Sequence, residues 1–264
     1  MYQLLNAHNL PEGWSAYPKT ISGYRYNYSV KMALLSIFDK NHNEFWMIWS
    51  DLFPVMYFSW IFFNHIMYHE KSDRFHEFFL SELYLSVISS RVCSLIYHVF
   101  NCISIKMNKT LIYIDYIGIA NMAFSTPWLY IITFDVESYE DTYFVLYLSC
   151  VMGAYTSCIA LYLYLFMNQI STDTIHLICQ YSLISLALIA AFPIYYAAIF
   201  HDMDDGHYYR MWSSIGLTTG YIIYSSGFPE TFLYDGVADG KIWNSHVLWH
   251  ICVSVAQYLY IRSY

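Results

Sequence analysis

Seven stretches of this 264-residue chain are apolar over enough length to cross a lipid bilayer. A helical crossing needs about 20 mostly apolar residues, because the helix rises about 1.5 Å per residue. The runs fall at about 45–66, 80–105, 111–134, 142–167, 175–200, 211–228 and 243–262. Asp51 and Pro54 interrupt the first, and the sixth is short and carries Gly216 and Gly220. The pattern predicts an all-α membrane protein, a seven-transmembrane helix bundle. Residues 1–44 form a cytoplasmic N-terminal and interfacial segment, and residues 45–264 form the transmembrane domain. Ile37 and Phe38 beside Lys31 and Lys40 give the end of that first segment an amphipathic character.

Composition agrees. Hydrophobic residues make up 58% of the chain and charged residues 12%, about half the usual charged share of a globular domain. Aromatic residues reach 21%, with 29 Tyr, a ring that is apolar at its body and wet at its tip and so suits membrane interfaces. The net charge is −8, and every Lys and Arg except Arg91 lies outside the apolar runs or at their edges. No basic patch is dense enough to neutralise a phosphate backbone, which excludes a nucleic-acid partner. The six cysteines (Cys93, Cys102, Cys150, Cys158, Cys179 and Cys252) make no Cys-x-x-Cys pair and read as small buried hydrophobes. No cleavable signal peptide is expected, since Asn6, His8, Asn9, Glu12 and Lys19 break up the first 20 residues.

Basic residues in the short loops set the orientation. One side carries Lys19, Arg25, Lys31, Lys40, Lys106, Lys109 and Lys241, and the other Lys71, Arg74, Arg210 and Arg262. The richer side holds the N-terminus, so the N-terminus is expected in the cytoplasm and the C-terminus outside. The acidic loops 135–141 and 202–205 then face outward. The sequons at Asn27 and Asn108 fall on the cytoplasmic side, where they go unused.

Ionisable side chains inside a bilayer are costly and are functional candidates by default. His246 and His250, four residues apart at the start of the seventh run, share one helical face, as two ligands of one metal do. His98 lies near the end of the second run, with Ser94 one turn before it, and Asp115 near the start of the third. Alternating topology puts all of these at one depth on the cytoplasmic side. Three imidazoles leave a fourth tetrahedral position open, the pattern of a catalytic zinc. Asp115 would accept a proton from an activated water and Ser94 would support it by hydrogen bonding. The same residues also fit a buried polar network that only joins helices.

Arg91, seven residues before His98, could meet a lipid carboxylate or phosphate, or pair with Asp51 or Glu82. His65 and His201 fall at outer helix ends. His42 and Glu44 are placed to cap the first long helix. Pro127 and Pro193 are expected to kink their helices.

The chain resembles the progestin and adipoQ receptor family, which groups with hemolysin III-type proteins and alkaline ceramidases. The resemblance runs from Gly23-Tyr24-Arg25 through Ser36-Ile37-Phe38, His42-Asn43-Glu44 and Ile48-Trp49 to Ser94 and His98. It continues through Asp115-Tyr116-Ile117-Gly118-Ile119-Ala120, Pro127-Trp128-Leu129-Tyr130, Tyr224, Pro229-Glu230 and Ser245-His246 with His250. It implies seven helices with the N-terminus inside, zinc on His98, His246 and His250, and Asp115 close to a zinc-bound water. Tyr116 and Tyr224, each within a motif, join Arg91 as substrate-contact candidates.

Adiponectin-receptor-like members are credited with ceramide hydrolysis, and others are described as steroid or adipokine receptors. The chain departs from the family where Met47 and Asp51 replace Asn and His, where Cys179 stands near the place of an Arg of the adiponectin-receptor-like members, and where Gly227 replaces the Arg that follows the Tyr of the sixth helix. Residues 231–241 are longer than the family's loop.

Three functions follow as expectations. The first is a zinc-dependent hydrolase of ceramide-like lipid amides in the plasma membrane or an endomembrane. The second is a signalling receptor for a hormone, steroid or lipid, a small-molecule or extracellular ligand, in which zinc is structural and nothing is turned over. The third is a transporter or channel, for which the chain supplies neither an inverted repeat nor a ring of charges.

Overall fold

Each apolar run folds as one helix. The structure is a computed structural model that describes residues 4–14, 17, 20–68, 74–133, 141–168, 172–200, 204–233, 239 and 242–264. Among these residues a short helix, α1 (Val30–Ser36), precedes seven long ones. These are α2 (Phe45–Tyr68), α3 (Arg74–Phe100), α4 (Ile105–Thr133), α5 (Asp141–Met167), α6 (Thr172–Phe200), α7 (Asp205–Ser226) and α8 (Ser245–Arg262). The described residues form no strand; a single bridge pairs Leu5 with Tyr24.

Helix ends differ from the apolar runs for identifiable reasons. The second run was expected to continue to 105, but α3 stops at Phe100. Arg25 donates to the carbonyls of His98 and Val99 in its last turn, at 2.5 and 3.3 Å. Ser104 then starts α4 by accepting the Met107 N–H at 3.1 Å, an N-cap contact. Cys102 and Ile103 are therefore apolar residues of a turn, and α4 begins at Ile105 rather than 111. At α7, the Asp204 carboxylate accepts the His207 N–H at 2.7 Å. Gly227, at φ +63°, closes the other end, in the left-handed conformation that glycine adopts most easily.

Polarity is inverted relative to a water-soluble domain. Asp51 and His98 are 0% exposed, Arg210 2% and Arg91 3%. Trp60, Phe63, Phe78, Leu146, Leu188 and Ile199 are all more than half exposed. A soluble monomer rarely leaves so much apolar surface uncovered. On length and composition, three described segments are apolar enough to cross a membrane: Glu77–Phe100, Val145–Met167 and His176–Tyr196. The expectation of seven crossings is met to that extent. The other long helices carry internal polar groups, such as Asp51 in α2 and Arg210 in α7.

The helices close into a ring. α2 packs on α3 and α8, α3 on α4, α4 on α6, α6 on α7 and α7 on α8, while α5 lies outside against α4 and α6. Two contacts depend on glycine. A Cβ at Gly118 would stand 2.9 Å from Cys93 Cβ, and one at Gly220 would stand 2.6 Å from Cys252 Cβ. The helices continue through Pro54, Pro127 and Pro193. Just before Pro193, the Tyr147 hydroxyl donates to the Ala190 carbonyl at 3.0 Å.

The N-terminal segment lies at the end of the ring where α3 stops and α8 starts. Tyr28 N–H donates to Cys102 O at 3.1 Å, and Asp239, before α8, accepts the Ile21 N–H at 2.9 Å. The N-terminal segment and the connections after α3 and α7 thus share one end, as the loop assignment required. Lys19, Lys71, Lys241, His201 and the loop residues 135–140, 202 and 203 lie outside the described residues.

Candidate metal centre

Three histidines from two helices meet inside this end of the ring. One ligand nitrogen from each of His98, His246 and His250 lies within 4.8 Å of the others. The ring centroids are 4.9–5.0 Å apart. His98 comes from the last turn of α3. His246 and His250 occupy successive turns at the start of α8, where the local sequence fixes their place. Asn244 accepts the Val247 N–H at 2.8 Å as N-cap. Glu230 accepts the Ser245 N–H at 2.8 Å and the Ser245 hydroxyl. A carboxylate at a helix N-terminus is favoured by the helix dipole.

Hydrogen bonds turn two imidazoles inward. Ser50 donates its hydroxyl to the Met47 carbonyl at 2.8 Å, so its oxygen is left to accept from His250 Nδ1 at 2.9 Å. That places the proton of His250 on Nδ1 and the lone pair on Nε2. His98 Nδ1 faces Glu44 Oε2 at 2.8 Å. His98 Nε2 and His246 Nδ1 are buried with no hydrogen-bond partner. Orphaned buried nitrogens are rare and costly. Two of them converging with a third imidazole is a donor set that a divalent metal such as zinc satisfies.

Glu44 ends the segment before α2. Burial opposes its ionisation, but the facing His98, Arg25 and Asn101 outweigh that and hold the carboxyl well below the usual carboxylate range. His42, two residues earlier, donates to the Ser36 carbonyl at 2.8 Å. Burial, with Arg25 nearby, pushes its imidazole down to about 4.

A cavity of about 310 Å³ opens from the histidines and runs between α3, α4, α6, α7 and α8. Its histidine end is lined by Ser94, Asp115, Tyr116, Tyr224, His246 and His250. Ser94 lies beside both Asp51 and Asp115, and Asp115 Oδ1 has no hydrogen-bond partner. Leu83, Val87, Ile119, Met122, Leu217 and Val253 make the middle apolar, and Arg210 and Tyr260 line the far end.

Arg91 lines the cavity wall but is engaged elsewhere. It pairs with Asp51 at 3.0 Å and donates to Gln257 Oε1 at 2.8 Å. Of the two pairing partners considered from the sequence, Asp51 takes Arg91, while Glu82 accepts from Ser125 at 2.8 Å. His65 pairs with Glu77 at 3.0 Å.

Sequence reasoning missed two features of the site. The first is Glu44, which the sequence places as a helix cap and whose carboxylate bonds a histidine of the cluster. The second is His176, which lines the cavity and meets the Tyr116 hydroxyl at 2.9 Å. Gln180, one turn later, also lines it and donates to the Tyr224 hydroxyl at 3.4 Å. The i, i+4 spacing of His176 and Gln180 was the available signal. Cys179, between them, is fully buried in the packing of α4, α5 and α6.

An all-helical chain with apolar spans and a buried three-histidine cluster at the end of an apolar cavity defines a class of integral membrane protein. Within it the family is specific: residues 39–261 match the model described as Haemolysin-III related, and the chain belongs to that family. It is the family of the progestin and adipoQ receptor and adiponectin-receptor-like proteins. No curated protein matches the chain.

Proposed function

We propose that this protein crosses the membrane seven times, through α2 to α8, with the N-terminal segment in the cytoplasm. We further propose that it hydrolyses a lipid amide of the ceramide kind at a zinc held by His98, His246 and His250. The observation that carries this reading is the junction of two environments: His246 and His250 of the histidine cluster, with Asp115, open directly onto a long apolar cavity. A polar reactive end joined to an apolar channel suits an amphiphile whose cleavable bond lies between its head and its chain.

Bound zinc supplies Lewis acidity and an acidified water at that end. The chain's own residues do the rest. Asp115, with Oδ1 unpartnered, takes the proton of the attacking water and returns it to the leaving nitrogen. Ser94 holds the Asp115 carboxylate in place. Tyr116 and Tyr224, tied to His176 and Gln180, orient the polar head. The apolar walls seat the acyl chain and exclude water. Arg91, neutralised by Asp51, supports α8 rather than the substrate.

The test is metal analysis of the purified protein together with a lipid-hydrolysis screen. One zinc per chain and release of fatty acid from a ceramide are expected, with loss of turnover in His250→Ala. A zinc-loaded protein that cleaves no lipid amide would sink the hydrolase reading.

A second reading, a receptor in which zinc only fixes α3 to α8, is favoured by one observation. Cys179, at the place of the family's arginine, is packed in the core and presents no charge to the cavity. It predicts ligand-dependent signalling that survives Asp115→Ala.

A further inference from the structure

Behind His98 lies a set of hydrogen bonds that no sequence motif assigns. Glu44 is 4% exposed and meets three donors. His98 Nδ1 lies 2.8 Å from Oε2; Asn101 Nδ2 at 2.8 Å and the Tyr17 hydroxyl at 3.0 Å share Oε1. A carboxylate surrounded in this way acts only as an acceptor, so the proton between Glu44 and His98 resides on Nδ1. The lone pair of His98 is then on Nε2, the buried atom that has no partner and faces the other two imidazoles.

The neighbours of Glu44 tie it to the N-terminal segment. Tyr17 reaches over the cluster, with its ring edge-on to His246 at 5.6 Å. Arg25, from the same segment, donates to Asn101 Oδ1 at 3.3 Å and so turns the Asn101 amide nitrogen toward Glu44. The last turn of α3, which carries His98, is held by Arg25 through two carbonyls.

We infer that Glu44 is the positioning residue of the metal centre: it fixes the tautomer and ring orientation of His98, and Tyr17 and Asn101 fix Glu44. The inference rests on the three-histidine metal reading. It makes the metal's affinity depend on the N-terminal segment, whose described residues do not line the cavity. A carboxylate behind a ligating histidine raises the basicity of the ligand nitrogen and removes its freedom to flip. Loss of such a partner typically weakens metal binding about 10- to 100-fold.

The experiment uses the full chain in detergent, stripped of metal and titrated with zinc against a chromophoric chelator. The variants are Glu44→Gln, which keeps shape and loses the charge, and Tyr17→Phe, which removes one hydroxyl. Cobalt(II) replaces zinc in parallel, and its absorption bands report ligand geometry. Glu44→Gln is expected to bind zinc about 10- to 100-fold more weakly, with shifted cobalt bands and a metal-free melting transition that stays cooperative, at a somewhat lower temperature than wild type. Tyr17→Phe is expected to show a smaller loss in the same direction. Wild-type affinity and wild-type cobalt bands in Glu44→Gln would overturn the inference. Should that variant fail to fold, unchanged affinity in Tyr17→Phe overturns it alone. A wild-type protein that takes up no zinc overturns the metal reading itself, before any variant is compared.

Discussion

Asp115 stands at the histidine end of the cavity with one carboxylate oxygen lacking a partner. Replacing it with Asn preserves shape and removes the capacity to take a proton. General-base catalysis is worth about 10²- to 10⁴-fold, so on the proposed hydrolase reading Asp115→Asn should lose ceramide turnover by that factor while its zinc content stays at wild-type level. Full turnover in that variant would leave the hydrolase without its base. A second residue gives the fold a pH dependence of its own. Burial, then Arg25, lowers the His42 imidazole to about 4. The folded chain keeps His42 neutral while the unfolded chain protonates it below about pH 6.5. Its contribution is full above that pH and is lost as pH falls toward 4, with a ceiling of about 3 kcal/mol. Melting temperatures of wild type and His42→Gln should therefore converge between pH 7 and pH 4.5; curves that stay parallel would refute the assignment. The three histidines were legible because four-residue spacing and helix alternation fix a face and a depth. Glu44 was not, because its partner lies 54 positions away and no periodicity links a residue before one helix to the end of another.

The short α1 was not legible, but the seven long helices were, in number and approximate place, because apolar run length is a property of the chain alone. Their ends were not, since apolarity continues through turns that capping residues define. The Asn101–Ser104 turn is one case, where Cys102 and Ile103 are as apolar as the helix before them. Close contacts between helices were likewise invisible. Nothing in the sequence distinguishes Gly220, where an added Cβ would lie 2.6 Å from Cys252 Cβ, from Gly153, where it would meet nothing within 4 Å. That difference makes a paired prediction. Gly→Ala inside a helix gains about 1 kcal/mol from propensity, whereas overpacking costs about 1–3 kcal/mol. Gly153→Ala should leave the melting temperature unchanged or raise it. Gly220→Ala should lower it, because α7 must move off α8 and the new methyl meets Cβ rather than the end of a flexible chain. Equal effects at both positions would mean that α7 and α8 are not packed this closely. Glu230 acts at the same level. Its bonds to Ser245 hold the first turn of α8, and the adjacent residue is His246. Glu230→Ala should cost about 1 kcal/mol as a lost cap and should also weaken zinc binding.

At the scale of the whole molecule, the ring of helices joins a polar histidine end, through an apolar middle, to a far end lined by Arg210 and Tyr260, and the distance between the ends sets what fits. The cavity is lined on α8 from His246 to Tyr260 and on α7 from Tyr224 to Arg210. Fourteen residues of helix separate the members of each pair, about 21 Å at 1.5 Å per residue. An extended long acyl chain spans such a length, and a short one leaves the far part empty or wet. The side chains there are those least able to yield: Tyr260 donates to the Thr126 carbonyl at 2.6 Å, and Arg210 sits over the Tyr264 ring at 5.4 Å. Ala191, on α6 toward this end, lines the cavity with a single methyl. Filling it with Phe shortens the channel without touching the histidines, Asp115 or the polar head site. On the proposed hydrolase reading, Ala191→Phe should therefore hold wild-type zinc and cleave short-chain ceramides at close to the wild-type rate, with activity on long-chain ceramides falling by about 10-fold, the effect of losing one to two buried methylenes. Competition between short- and long-chain substrates in one reaction measures the ratio directly. A ratio identical to wild type would show that the acyl chain leaves the bundle elsewhere, sideways between helices, and that the cavity does not measure it.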